Sequence, residues 1–150
     1  MRERRITAAT RRARQMMLGG LALGHAVGLT VVGLGLALGG PDAALTAALG
    51  FAAVVIFYSV GQALEVVASE LEAMQGMALV LVSYAVRVIG IAAGLWVILN
   101  LPAVAPHIVD GWLVLSVAGT VIAWVGGVVL VAARQRVPVY DDEYEPPKQS

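Results

Sequence analysis

The chain has 150 residues, 59% of them apolar and 13% charged, with a mean hydropathy of +0.84. Soluble domains average roughly 25% charged and 45–50% apolar residues, so this composition excludes an ordinary soluble domain and indicates an integral membrane protein. Formal net charge is zero and cysteine is absent, which excludes disulfide staples, thiolate metal sites and cysteine nucleophiles together.

Residues 1–15 carry six arginines (Arg2, Arg4, Arg5, Arg11, Arg12 and Arg14) against one acid, Glu3. Basic residues beside a span hold that end on the cytoplasmic side. Nucleic acid is not the expected partner, because the run abuts an apolar segment and has no interleaved aromatics for base stacking. Residues 16–38 form the first expected span, too long for the apolar core of a secretory signal. Within it Gly20, Gly24 and Gly28 recur every four residues, giving one small-residue face for close helix packing. That face serves either the bundle itself or a partner, another copy of the chain included. His25 lies between two of these glycines without a second histidine at metal spacing, so it reads as a polar residue of the bundle. Gly39, Gly40, Pro41 and Asp42 make a tight turn that permits only an antiparallel return. The second span, residues 44–67, carries Phe57, Tyr58, Gln62 and Glu65, and an acidic cytoplasmic turn over 68–73 adds Glu70 and Glu72.

The third span, residues 74–99, has Arg87 near its middle and Gly90 and Gly94 as a second close-packing pair. Residues 100–110 contain two prolines, His107 and Asp110 but neither Lys nor Arg, as an outside loop should. The fourth span, residues 111–133, contains Trp112, Trp124 and the Gly126, Gly127 pair, and Arg134 and Arg136 close it on the inside. The acidic, proline-containing segment 134–150 reads as a disordered cytoplasmic tail. Every Lys and Arg outside the spans lies at the two chain ends. The fold expected is therefore all-α, a multi-pass protein of a bacterial plasma membrane with four spans in two antiparallel hairpins and both termini cytoplasmic.

An arginine at the centre of a spanning helix costs about 3 kcal/mol on insertion scales, so something must offset it. Glu65 and Arg87 lie about seven and fifteen residues from the intervening turn, an axial gap of roughly 12 Å at 1.5 Å per residue. A helical side chain leans toward its own N-terminus, so Arg87 can close part of that gap, with Gln62 and Tyr58 as intermediate partners. The alternative is that Arg87 meets a carboxylate carried by a partner. The acids Glu65, Glu70 and Glu72 are candidates for attracting a hard cation such as magnesium, or are simply a solvated turn. No HExxH, GxSxG, P-loop or paired-histidine pattern occurs, so neither an enzyme nor a bound cofactor is expected.

The second span ALGFAAVVIFYSVGQAL leads through a polar turn to MQGMALVLVSYAVRV, and the fourth, WLVLSVAGTVIAWVGGVVLVAARQRVPVYD, exits into an arginine pair and a Val, Pro and Asp tail. In these segments, over residues 16–142, the chain resembles the ATP synthase protein I family, in particular its actinobacterial members. The resemblance implies an accessory protein that assists assembly of the synthase rotor ring through intramembrane helix contacts. A second role that it implies is supply of magnesium near the enzyme, as a small cation transporter or channel. Under the first role the partner is a rotor-ring subunit whose membrane-embedded carboxylate Arg87 would meet, with Gly20, Gly24, Gly28, Gly90 and Gly94 as contact faces. An accessory subunit of another membrane complex is the further alternative.

Overall fold

The computed structural model describes residues 8–135 of the chain. Helix α1 spans Ala8–Leu34 and passes through a widened turn, Gly35–Gly39, into α2, Gly40–Ala68. Helix α3 spans Ala73–Leu99, a single helical turn occupies Ala105–His107, and α4 spans Asp110–Arg134. There is no strand among the described residues. Three helical runs are long and apolar enough to cross a membrane: Thr10–Ala68, Ala73–Leu99 and Asp110–Arg134. An apolar solvent requires this, since each backbone N–H and C=O must find its partner within its own helix.

The first of these runs has 59 residues, about 88 Å if straight at 1.5 Å per residue. It folds back instead. Gly40 has φ +80°, a backbone conformation that glycine adopts without steric cost, and Pro41 follows in the first turn of α2, where its missing N–H is not needed. Two contacts establish that α1 and α2 run antiparallel. Gly35 lies against the backbone of Ala43, and Gly28 against the ring of Phe51. The reversal is tighter than the expected Gly39–Asp42 turn, because Pro41 and Asp42 already belong to α2, with Asp42 an acid at the positive end of its helix.

The other boundaries shift for similar reasons. Helix α1 begins at Ala8, so Arg11, Arg12 and Arg14 extend the first helix rather than forming a separate segment. The second turn contracts to residues 69–72, closed by the Ser69 N–H donating to the Glu65 carbonyl at 3.0 Å and the Ser69 hydroxyl donating to the Val66 carbonyl at 2.6 Å. Asp110, expected in the loop, is the first residue of α4, and Arg134, expected beyond the fourth span, is its last. Each suits the sign of its helix end. The expected tail lies outside the described residues except for Arg134 and Gln135.

Helices α1, α2 and α4 pack against one another, and α3 packs against α2. Helix α3 is thus peripheral: 6% of its most apolar window is buried, against 22% for α4 and 33% for the Thr10–Ala68 run. The shared core is built from small residues, with Ala43, Thr46, Ala47, Val54, Ser116 and Thr120 buried beside one large side chain, Trp124. Ser116 donates from its hydroxyl to the Ala47 carbonyl at 2.5 Å, tying α4 to α2. At the end of the bundle opposite the 69–72 turn, Thr46 donates to the His107 carbonyl at 3.1 Å and accepts from the Val109 N–H at 3.1 Å. His107 Nδ1 also lies 3.0 Å from Asp42 Oδ1, so the 100–109 loop is fastened to the start of α2.

Candidate functional site: an ion pair inside the bundle

Tyr58, Gln62 and Glu65 follow at four- and three-residue spacing along α2, and Ser83 and Arg87 at four-residue spacing along α3. Each set therefore occupies one helix face, and the α2–α3 contact turns the two faces toward each other. Arg87 runs back toward the N-terminus of α3 over Gly61, whose missing side chain leaves room for the arginine stem. A Cβ at Gly61 would stand 2.6 Å from Arg87 Nε and 2.9 Å from its Cγ. The axial offset between Arg87 and Glu65 is closed in this way, and Arg87 Nη2 lies 2.8 Å from Glu65 Oε1.

The carboxylate is held on both oxygens. Gln62 donates from Nε2 to Oε2 at 2.7 Å, and the Ser83 hydroxyl donates to Oε1 at 3.0 Å. Gln62 is oriented in turn by the Trp124 indole N–H, which donates to its Oε1 at 3.1 Å. The guanidinium lies near two aromatic faces, its Cζ 5.2 Å from the centre of the Tyr58 ring and 5.9 Å from that of Tyr84. Cation–π attraction of this kind adds about 0.5–2 kcal/mol, more where water is excluded. Trp124 meets Tyr58 edge to face at 5.7 Å. The charges are close, but the guanidinium is incompletely satisfied: buried Nε and Nη2 have no acceptor in hydrogen-bonding alignment, even though Nη2 is within ion-pair distance of Glu65.

Beside the pair lies a cavity of about 220 Å³. Tyr58, Gln62 and Glu65 line it from α2, Arg87 from α3, and Trp124, Val125 and Val128 from α4. The site is thus a neutral charge pair with an adjoining space that offers more donors than acceptors.

Of the residues singled out from the sequence, Arg87, Glu65, Gln62 and Tyr58 come together here. Tyr58 contributes its ring face, and Gln62 touches the carboxylate rather than the guanidinium. Glu70 lies elsewhere, accepting from the Thr10 hydroxyl at 3.1 Å. No group of three or more potential metal-ligating side chains occurs among the described residues, so Glu65, Glu70 and Glu72 do not converge on a cation. The glycine faces are occupied from within the chain. Gly20 and Gly24 lie under the Trp124 indole, Gly28 under Phe51, and Gly90 and Gly94 under the ring of Phe57. Gly20, Gly24 and Gly28 are buried in this packing, whereas Gly90 and Gly94 stay half-buried and Gly90 also lines an apolar hollow of about 370 Å³. His25 sits edge-on to Phe51 at 5.2 Å, with Nδ1 2.8 Å from the Leu21 carbonyl.

Gly61, Ser83, Tyr84 and Trp124 complete the site and were not among the residues expected there. Ser83 and Tyr84 stand four and three residues before Arg87, a spacing that points to a shared face. Gly61 follows only from the α2–α3 register, and Trp124 only from the placement of α4. No family model, no curated protein and no solved structure matches the chain.

Proposed function

We propose that the chain is a non-catalytic accessory protein of a bacterial plasma membrane that assists assembly of an F-type ATP synthase rotor ring. In this reading it crosses the membrane four times, with α1 and α2 as one hairpin, α3 and α4 as the other, and both termini in the cytoplasm. Support for the first hairpin comes from the antiparallel contacts of α1 with α2, and support for the orientation from the arginines at the chain ends. The choice of complex rests on the sequence resemblance.

The observation that carries an intermolecular role is the peripheral position of α3. Met74, Met77, Leu81, Tyr84 and Val88 are between 62% and 86% exposed, and they recur at alternating three- and four-residue spacing. They form one continuous stripe along the exposed side of the helix, with Tyr84 at the edge that borders Arg87. Because Glu65 already neutralises Arg87, the rotor contact in this proposal runs through that stripe. Arg87 fixes the angle at which α3 presents it.

The test is affinity purification of the tagged chain from gently solubilised membranes, with mass spectrometry of co-eluting proteins. Enrichment of synthase rotor or stator subunits over bulk membrane proteins is the expected result, reduced by polar substitution of Leu81 and Val88. Recovery of the chain alone, or only with itself, overturns the proposal.

A further inference from the structure

Two hollows follow the seam between α3 and α4, both of which rest on α2. The first is the polar cavity beside Arg87. The second, of about 250 Å³, is bounded by Leu95 of α3 and by Leu113, Val114, Val117 and Ala118 of α4. Ala118 and Val125 are two turns apart on the same face of α4, roughly 10 Å at 1.5 Å per residue. One flexible chain can therefore follow the seam from the polar cavity to the apolar hollow.

We infer that this seam binds a single amphiphile, with an uncharged carbonyl-bearing head in the polar cavity and its tail in the apolar hollow. Hydrogen-bonding capacity selects the head. Both Glu65 oxygens already accept protein donors, whereas Arg87 Nε and Nη2 lack aligned acceptors. The Tyr58 hydroxyl bonds to no protein group among the described residues. An acceptor oxygen is what the site lacks. Charge selects against acids: Arg87 is already countered by Glu65 at 2.8 Å, so a phosphate or second carboxylate would bring net charge into a membrane interior, at high cost. Size excludes a helix, whose diameter of about 10 Å with side chains exceeds what hollows of 220 and 250 Å³ admit. A quinone ring or the ester carbonyl of a glycerolipid meets all three conditions. The inference depends on membrane embedding and not on the partner complex, so it stands or falls separately from the assembly role.

Trp124 reports on the site directly, being 1% exposed and part of the cavity wall. The other two tryptophans, Trp96 and Trp112, are replaced by Phe, and the full chain is studied in dodecyl maltoside, a detergent without carbonyl groups. Its Trp124 emission is titrated with decylbenzoquinone in one arm and with a dibromostearoyl monoacylglycerol in the other. The expected result is saturable quenching in at least one arm, weakened at least tenfold by Tyr58→Phe and by Ala118→Phe. The second substitution fills the tail hollow and leaves the ion pair untouched. Saturation by the quinone alone or by the glyceride alone identifies the head. Quenching that rises linearly with probe, is absent, or is undiminished in either variant overturns the inference. Mass spectrometry of the unmodified chain after exhaustive detergent washing gives a second reading that needs no substitution. One retained quinone or glycerolipid per chain supports the site, and a bare chain refutes it.

Discussion

Replacing Glu65 by Gln should destabilise the bundle more than replacing Arg87 by Gln, and replacing both should cost less than replacing Glu65 alone. The asymmetry follows from what each survivor can do. A guanidinium does not deprotonate in proteins, so Glu65→Gln leaves a permanent cation among Tyr58, Tyr84 and Gly61. Breaking a buried pair from one side costs about 3–5 kcal/mol. Here 12% of the Arg87 side chain and 25% of the Glu65 side chain are exposed, which places the effect at the lower end. A cost of about 3 kcal/mol corresponds to roughly 150-fold in the unfolding constant. After Arg87→Gln, by contrast, the Glu65 carboxylate keeps a protein donor on each oxygen, Gln62 and Ser83, so the cost falls to about 1–2 kcal/mol. The double variant removes both charges and restores neutrality. Reversible unfolding in mixed micelles of dodecyl maltoside and dodecyl sulfate, followed by circular dichroism and tryptophan emission, measures all four proteins. The reasoning is refuted if Arg87→Gln costs as much as Glu65→Gln, or if the two effects simply add.

Three further substitutions probe the packing. Gly61→Ala should displace the arginine stem and lower stability by about 1–3 kcal/mol, as overpacking does, and the same substitution should cost much less when added to an Arg87→Ala background in the same unfolding assay. Trp124→Phe removes the indole donor and leaves Gln62 Oε1 buried without it, for an expected loss of about 1–3 kcal/mol; a variant as stable as the parent would show that Gln62 has no need of that bond. Gly127→Ala would drive its methyl group into the backbone carbonyl of Gly19, where no side chain can yield. Helices α1 and α4 must then separate, which a disulfide engineered between the two helices in this cysteine-free chain should report as slowed formation.

The helical class, the apolar runs and the reversal near Gly39 and Gly40 are legible in the sequence because they depend on composition and on single-residue backbone preferences. Arg87 stands out for the same reason, as one charge in a long apolar run. Its pairing with Glu65 could be placed only loosely, since closing the axial offset requires the α2–α3 register and a gap at Gly61 that lets the stem pass. The glycine motifs illustrate a different limit. Spacing identifies a face on which another group comes close, but whether that group belongs to the same chain depends on the lateral order of the helices. Trp124, Phe51 and Phe57, which fill these faces, lie far from most of them in sequence. Trp124, midway along the fourth span, shows no sign of its role in the sequence, yet its indole is the donor that orients Gln62.

The assembly role is tested most directly by measuring how much of the rotor subunit reaches the ring form in membranes that contain or lack this chain. Native gels and immunoblots of gently solubilised membranes would separate ring from monomer. The account predicts a smaller ring fraction without the chain, restored by the wild-type protein but not by a variant with Leu81 and Val88 made polar. A ring fraction that does not change when the chain is removed would contradict it.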